Sequence, residues 1–535
     1  MRAEHLTPDE RAIVAEAFDA AFYLARNPDV EEAGMDPLEH FLDIGWRETR
    51  DPTRRFSIAA YLDLNDDIAR AEINPFVHYL LHGRAEGRAT RLDLGFRYDL
   101  LRHAPTLEAR LETGRPHDIP GGPLEDLAAA VAGLGPHLFI TVSHDAYVDH
   151  VGGVQLCLKR EARAIAADGW SHLHLYPAVP SSVADFETLD PVMGIVVGGE
   201  KKGLFEASHI AAALRALQGA KRLKTVSFAV HSFLGHSIPA VSAALAGAGA
   251  KTGFLWLHDQ ASLCASYALL RNDVEFCGAP PPDSAACSIC VYGLRRRVQM
   301  ADHADFFAAF DITVLAPSQA QMDLWTSSSN YRFAAAHVHP HAVLAASGAA
   351  AASADAALTV AFLGFPAQHK GWPIFTALAE RFADDPRYAF LHLGKQDDDP
   401  PPIPFLAVEP QGDEPTGPVE LPGETRNSMV EAARAAGVDV ALILSICPET
   451  FCFTAHEAAA AGAAVIALPD SGAVARFASD PAHGRVVADE TELNRLFESG
   501  EILSMSRVAR RPDLFDLRFS RMSADFLSPP GKKTS

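Results

Sequence analysis

Two apolar runs near the C-terminal end set the pattern of the chain: Val438 to Ser445 (V-D-V-A-L-I-L-S) and Ala463 to Leu468 (A-A-V-I-A-L). Short, continuous and rich in β-branched residues, both predict buried strands of a parallel sheet. Between them Thr454 to Ala461 is rich in Ala and carries a Glu, favours a helix, and closes on Gly462, where a helix is expected to stop. The same strand signal recurs at His137–Ser143, Leu173–Tyr176, Met193–Val197, Thr225–His231, Gly253–His258, Asp311–Ala316 and Leu358–Gly364. Amphipathic helical stretches, such as Gln155 to Ala167 and Leu294 to Phe310, fall between them. Strands alternating with helices are the βαβ rhythm of open parallel sheets.

The first hundred residues read differently. Phe18-Asp-Ala-Ala-Phe-Tyr-Leu-Ala-Arg-Asn-Pro-Asp-Val returns 38 positions later as Phe56-Ser-Ile-Ala-Ala-Tyr-Leu-Asp-Leu-Asn-Asp-Asp-Ile, and a weaker third start lies at Phe96 to Leu101. Pro37/Pro75, His40/His78, Gly45/Gly83, Glu48/Glu86 and Arg50/Arg88 keep the same spacing. Such a period predicts a stacked helical repeat, in which His40 and His78 are packed or capping residues rather than metal ligands. The expected order is a repeat module over 1–112, a Gly/Pro-rich linker over 113–135 and a first Rossmann-like domain over 136–344. A flexible Ala/Ser/Gly connector over 345–356, a second Rossmann-like domain over 357–510 and a tail over 511–535 follow.

Charge narrows the function classes. Against 46 basic residues stand 68 acidic ones, a net charge of −22, which disfavours nucleic acid and anionic membrane surfaces. No run long enough for a membrane span appears, and Met1 to Arg11 has no apolar core of a secretory signal. Seven scattered cysteines fit a reducing cytoplasm better than a disulfide framework. Four of them, Cys264, Cys277, Cys287 and Cys290, fall in the loop 264–290 and end in Cys-Ser-Ile-Cys. That spacing suits a structural zinc with four thiolates; buried thiols and a disulfide are the alternatives.

Candidate chemistry gathers after the first of the two opening strands. The loop Pro448-Glu449-Thr450-Phe451-Cys452-Phe453 lies at the carboxyl edge of the expected sheet and runs into a helix N-terminus, whose free N–H groups suit a phosphate. Glu449 and Glu457 are separated by seven residues, so one carboxylate sits in the loop and one about a turn inside the helix. A nucleotide-sugar satisfies that arrangement, with its diphosphate on the N–H groups and its hydroxyls on the carboxylates. The bland alternative is an exposed helix glutamate and an unrelated loop carboxylate.

The Pro-Glu-Thr-Phe turn and the Glu-Ala-x-Ala-x-Gly-x-x-Val-Ile continuation resemble the nucleotide-sugar signature of the retaining glycosyltransferases of family 4. The resemblance implies a GT-B fold: α/β, two Rossmann-like domains facing across a cleft, here preceded by a small all-α repeat domain. It implies further that Gly152 and Gly153 lie against donor phosphate and acceptor, that His231 contacts the donor sugar, and that Lys370 neutralises the diphosphate. The N–H groups of Thr450, Phe451, Cys452 and Phe453 would then hold phosphate, with Glu457 on the ribose and Glu449 on the sugar. Cys452 stands where the family usually has Gly, and Phe365-Pro366 stand where many members have a second basic residue. The triplet Asp397 to Asp399 lies in a Pro-rich polar loop and reads as solvated, not as a metal motif.

The expected protein is thus a cytoplasmic glycosyltransferase, or one peripheral at the inner membrane, using a UDP- or GDP-sugar without a catalytic metal. Its acceptor would be a glycan, a lipid-linked glycan or a protein, in bacterial surface polysaccharide or glycoconjugate synthesis. The repeat module resembles short helical repeats attached to such enzymes and to secreted proteins, and is expected to bind a protein partner. The competing expectation is an inactive GT-B scaffold that recruits a glycan-synthesis complex through those repeats.

Overall fold

A computed structural model describes residues 6–90, 119–184, 188, 190–349, 357–395, 401–408 and 428–528. The chain forms two compact units, Met1–Ala104 and Pro105–Ser535. The third repeat start at Phe96 and the triplet Asp397–Asp399 lie outside the described residues.

In the first unit each repeat is built from short helices, Ala20–Arg26, Pro28–Glu32 and Pro37–His40 in one, Ile58–Leu64, Asp66–Ala71 and Pro75–His78 in the next. Asp19, Asp36, Ser57 and Asn74 start four of them by accepting backbone N–H bonds with their side chains. The repeats share their polar contacts as well as their sequence. Tyr23 Oη meets His40 Nδ1 at 2.9 Å and Tyr61 Oη meets His78 Nδ1 at 2.9 Å. Arg50 donates to Asn27, Asp29 and Glu48, and Arg88 to Asn65, Asp67 and Glu86. Gly45 and Gly83 make room for the tyrosine hydroxyls, since a Cβ at either position would lie 2.0 or 2.3 Å from one.

The second unit contains two lobes. The first holds β1 (His137–Val142), β2 (Ser171–Pro177), β3 (Val192–Val197), β4 (Glu200–Glu206), β5 (Thr225–Val230) and β6 (Thr252–Trp256). A two-residue hairpin, β7 (Leu270–Arg271) with β8 (Glu275–Phe276), stands apart in the Cys-rich segment; β9 (Asp311–Ala316) and β10 (Ala335–Val338) complete the sheet. Its order is β10-β9-β6-β5-β1-β2-β3-β4, parallel from β10 to β2. The stretch Met193–Val197, expected as one more parallel strand, is the first arm of an antiparallel hairpin instead. Gly198 and Gly199, both at positive φ, supply its turn.

The chain then crosses through β11 (Ala342–Ala349) into β12 (Leu358–Gly364), β13 (Tyr388–Gly394), β14 (Phe405–Ala407), β15 (Val440–Ile443), β16 (Ala464–Ala467) and β17 (Gly484–Val486). Those last six form a wholly parallel sheet of order β14-β13-β12-β15-β16-β17. Finally β18 (Asp513–Phe519) pairs antiparallel with β11, and the turn Met522–Phe526 returns to the first lobe. Each lobe has its own apolar core, around Phe228, Phe306 and Trp325 in the first and around Ala441, Val465 and Ala458 in the second. The architecture is the GT-B arrangement, two Rossmann-like lobes facing across a cleft after a helical N-terminal region.

One expectation is corrected here. Ala345–Ala349 of the expected flexible connector belongs to β11, because pairing with β18 overrides a composition of small residues; residues 350–356 lie outside the described set. The four cysteines Cys264, Cys277, Cys287 and Cys290 line one pocket, but their thiols do not form a close ligand set of three or more. A buried arginine pins the loop instead: Arg296 donates to the carbonyls of Leu263 and Pro280, at 2.8 and 2.6 Å, and to Cys287 Sγ at 2.9 Å.

Candidate active site

β15 is buried along its whole length and delivers the chain to the carboxyl edge of the second sheet. There the loop is fixed by backbone bonds: Glu449 N–H donates to Ser471 O at 3.1 Å, and Ala473 N–H to Glu449 O at 2.9 Å. The close approach needs Gly472, at φ 63°, since a Cβ there would stand 2.8 Å from Glu449 O. The helix Phe453–Ala460 starts immediately afterwards with no side-chain cap on its first-turn N–H groups. Cys452, the residue before it, has φ 70°. A positive φ of this kind favours glycine, so a side chain here is held in a strained backbone.

Lys370 reaches the same edge from a different part of the sequence. It ends a short 3₁₀ turn, Gln368–Lys370, and is followed by Gly371 at φ 84°. A Cβ on Gly371 would lie 2.3 Å from Leu444 O, so glycine lets the lysine loop press against the strand end. As a result Lys370 Nζ donates to Glu449 Oε1 at 2.5 Å, and Ser445 Oγ donates to the same oxygen at 2.7 Å. Burial alone would raise the Glu449 carboxyl, but the Lys370 ammonium and the Ser445 hydroxyl hold it below its ordinary range. Burial and the Lys370 charge push His369 down to about 4, so that imidazole is neutral.

Glu457 lies on the helix Phe453–Ala460 and is buried. Gly364, ending β12, would touch Thr454 Cγ2 at 3.3 Å with a Cβ, which places the β12 end beside the helix N-terminus. One cation escaped the sequence reading. Lys395, directly after β13, holds its ammonium 5.7 Å from the Phe365 ring centroid. A charge therefore stands beside Phe365, and the strand-end Gly394-Lys395 was the available signal.

Across the cleft, Gly153 opens the helix Gly153–Ala167, and a Cβ there would meet Phe453 Cδ2 at 3.3 Å. Gly152 precedes it in extended conformation. Thr450 Oγ1 donates to His258 O at 3.1 Å, a second contact between the lobes. The glycine pair, Thr450 and Phe453 are thus brought together.

His231 is placed differently from the expectation. Its side chain is fully buried, Nε2 donates to Glu161 Oε2 at 2.7 Å, and Nδ1 faces His258 Nε2 at 2.9 Å. With both ring nitrogens engaged inside the lobe, it presents none to a sugar. The strand end Ala-Val-His gave no sign of the Glu161 partner 70 residues earlier.

No family model matches the sequence, and no curated protein matches it. Solved structures do resemble it. Sucrose-phosphate synthase from Thermosynechococcus elongatus aligns over 70% of this chain and 92% of its own at 13% identity, with a TM-score of 0.42. HepE from Anabaena, in a complex with UDP-glucose, aligns over 70% and 93% at 12% identity, with a TM-score of 0.41. A glycosyltransferase from Rickettsia africae aligns over 70% and 90% at 12% identity, also with a TM-score of 0.41.

Proposed function

We propose that this chain is a retaining glycosyltransferase of the family 4 type, moving a sugar from a nucleoside diphosphate to a hydroxyl of a glycan, lipid-linked glycan or protein. The observation that carries the reading is the meeting of Lys370, Glu449 and Ser445 beside the uncapped N-terminus of Phe453–Ala460, opposite Gly152-Gly153. A diphosphate leaving group needs fixed positive charge and aimed N–H dipoles, and this edge supplies both.

In this reading the diphosphate draws Lys370 toward itself, with the N–H groups of Phe451 to Phe453 completing the cradle. Glu449, released from the lysine, accepts hydroxyls of the donor sugar, and Glu457 accepts those of the ribose. Catalysis is positioning plus stabilisation of the departing diphosphate and of an oxocarbenium-like sugar. His231 acts through packing rather than by touching sugar. The repeat unit is assigned to binding a protein partner.

A thermal-shift screen of UDP-, GDP- and ADP-sugars against the native chain and Glu457→Ala tests the reading. One donor should stabilise the native chain alone, and nucleotide release should follow when acceptor is added. Binding without turnover against any acceptor would reassign the chain to a scaffold, and stabilisation of both proteins alike would remove Glu457 from the site.

A further inference from the structure

Three side chains with metal-ligating atoms meet where the loop 450–453 packs on the first lobe. Cys157 in the helix Gly153–Ala167, His258 just beyond β6 and His341 just before β11 each offer one ligand atom, all within 4.8 Å of one another. Among the described residues this is the one such group of three or more His, Cys, Asp or Glu side chains. Cys157 and His341 are only 1% and 3% exposed.

Packing explains part of this arrangement. Trp256 stacks on His258, and the His341 ring packs tilted against both, with centroids 4.8 to 5.4 Å apart. It does not explain why His341 Nδ1 is buried with no hydrogen-bond partner, which costs free energy unless something binds it. Nor does it explain the relay behind His258. Glu161 Oε2 meets His231 Nε2 at 2.7 Å, and His231 Nδ1 meets His258 Nε2 at 2.9 Å, which leaves His258 Nδ1 outside that chain of contacts. A carboxylate that orients an imidazole through its far nitrogen is the usual support of a metal-ligating histidine.

We propose that Cys157, His258 and His341 bind a transition-metal ion of zinc type. One thiolate and two imidazoles are a borderline donor set, and three protein ligands leave a fourth position for water or a small anion. Bond lengths of about 2.0 to 2.3 Å require the ligand atoms to close in by roughly an ångström. The neutral form of an imidazole is the one that ligates. A bound ion would deprotonate the Cys157 thiol, releasing its proton to solvent.

The three ligands come from the helix after the glycine pair, the end of β6 and the crossing strand, so an ion would tie them into one body. Phe451 and Phe453 of the donor loop pack on His341, with ring centroids 5.0 and 5.8 Å away. Metal binding would therefore seat that loop against the first lobe. This inference does not depend on the glycosyl-transfer reading.

Cobalt(II) titration of the full chain, first stripped with a chelator, tests the proposal. The expected result is one ion per chain, with visible d–d absorption and a thiolate-to-metal band in the near ultraviolet that zinc abolishes. Cys157→Ser should remove the thiolate band. His341→Ala should weaken binding at least about tenfold, and Glu161→Gln by about 10- to 100-fold. Cys290→Ser should leave the spectrum unchanged. Far-ultraviolet circular dichroism of each metal-free variant checks folding, and the titration of the native chain needs no variant. A native chain without these bands, or bands that survive Cys157→Ser and vanish in Cys290→Ser, would overturn the assignment.

Discussion

Lys370 and Glu449 form an ion pair across 79 residues of sequence, and the lysine side chain is 40% exposed while the carboxylate is 11% exposed. The cation therefore has one face toward an inward carboxylate and one toward water. An anion arriving from the cleft competes for the outer face without first breaking into the core.

Lys370→Ala should lower turnover by about 10²- to 10³-fold, the usual effect of removing one electrostatic stabiliser of the transition state. It also leaves Glu449 with Ser445 alone, so its carboxyl climbs back from its depressed range. Lys370→Arg keeps the charge and should retain part of the rate. Nucleotide release and melting temperature, measured on the same preparations, separate lost chemistry from lost fold.

Gly371→Ala attacks the same pair without touching it. A left-handed backbone costs a side chain about 1–2 kcal/mol, and the new Cβ would clash with Leu444 O at 2.3 Å. The melting temperature should fall by at least about 5 °C, given roughly 2–4 °C for each kcal/mol in a domain of this size. Donor-dependent stabilisation should disappear with it, and a variant that melts and binds normally would contradict the placement of the loop.

Lys395→Ala should be milder. The side chain is exposed and packs on Phe365, so folding should be unaffected. Donor affinity should drop by about tenfold or less, and the loss should shrink as salt is added. Isothermal titration at two ionic strengths reads both.

Acid should weaken the fold from near-neutral pH downward. His172, His236 and His303 are deeply buried and each is pushed from 6.5 to about 4, chiefly by burial. In the unfolded chain they take up protons near 6.5 and in the folded chain only near 4, so the unfolded state binds more protons between those values. Their contribution is therefore complete above pH 6.5 and falls as pH drops, by about 1.4 kcal/mol per pH unit for each proton. Glu161 and Glu449, held below the ordinary carboxylate value of 4.5, add their loss only at still lower pH. Urea unfolding between pH 8 and 5 should show a flat region followed by a decline of at least about three protons. Stability that rises on acidification would refute it.

Local signals carried much of the architecture. The runs Val438–Ser445 and Ala463–Leu468 contain β15 and β16, and the Ala-rich stretch between them is the helix Phe453–Ala460, each within two residues at its core. Period, glycine placement and apolar length all act within a few residues and are visible in one sequence. The repeat was legible for the same reason, since its tyrosine–histidine and arginine contacts recur at equal spacing.

Partners distant in sequence were not. Glu161 captures His231, Arg296 holds the Cys-rich loop, β18 makes a strand of Ala345–Ala349, and Lys395 meets Phe365. Each depends on a contact whose second half has no local pattern. The hairpin β3–β4 is the exception, because Val197-Gly-Gly-Glu carried a recognisable turn signal.

The return of the chain after β18 has a consequence for synthesis. Ser523 N–H donates to Glu161 at 2.8 Å, Trp256 Nε1 donates to Ser523 Oγ at 2.9 Å, and Met522 and Ala524 are buried with Phe139 and Trp256. The first lobe to leave the ribosome is thus the last to be sealed, since its wedge is translated only after the whole second lobe. Until then an open seam accompanies the nascent polypeptide, and a chaperone bound there would be displaced by the turn Met522–Phe526.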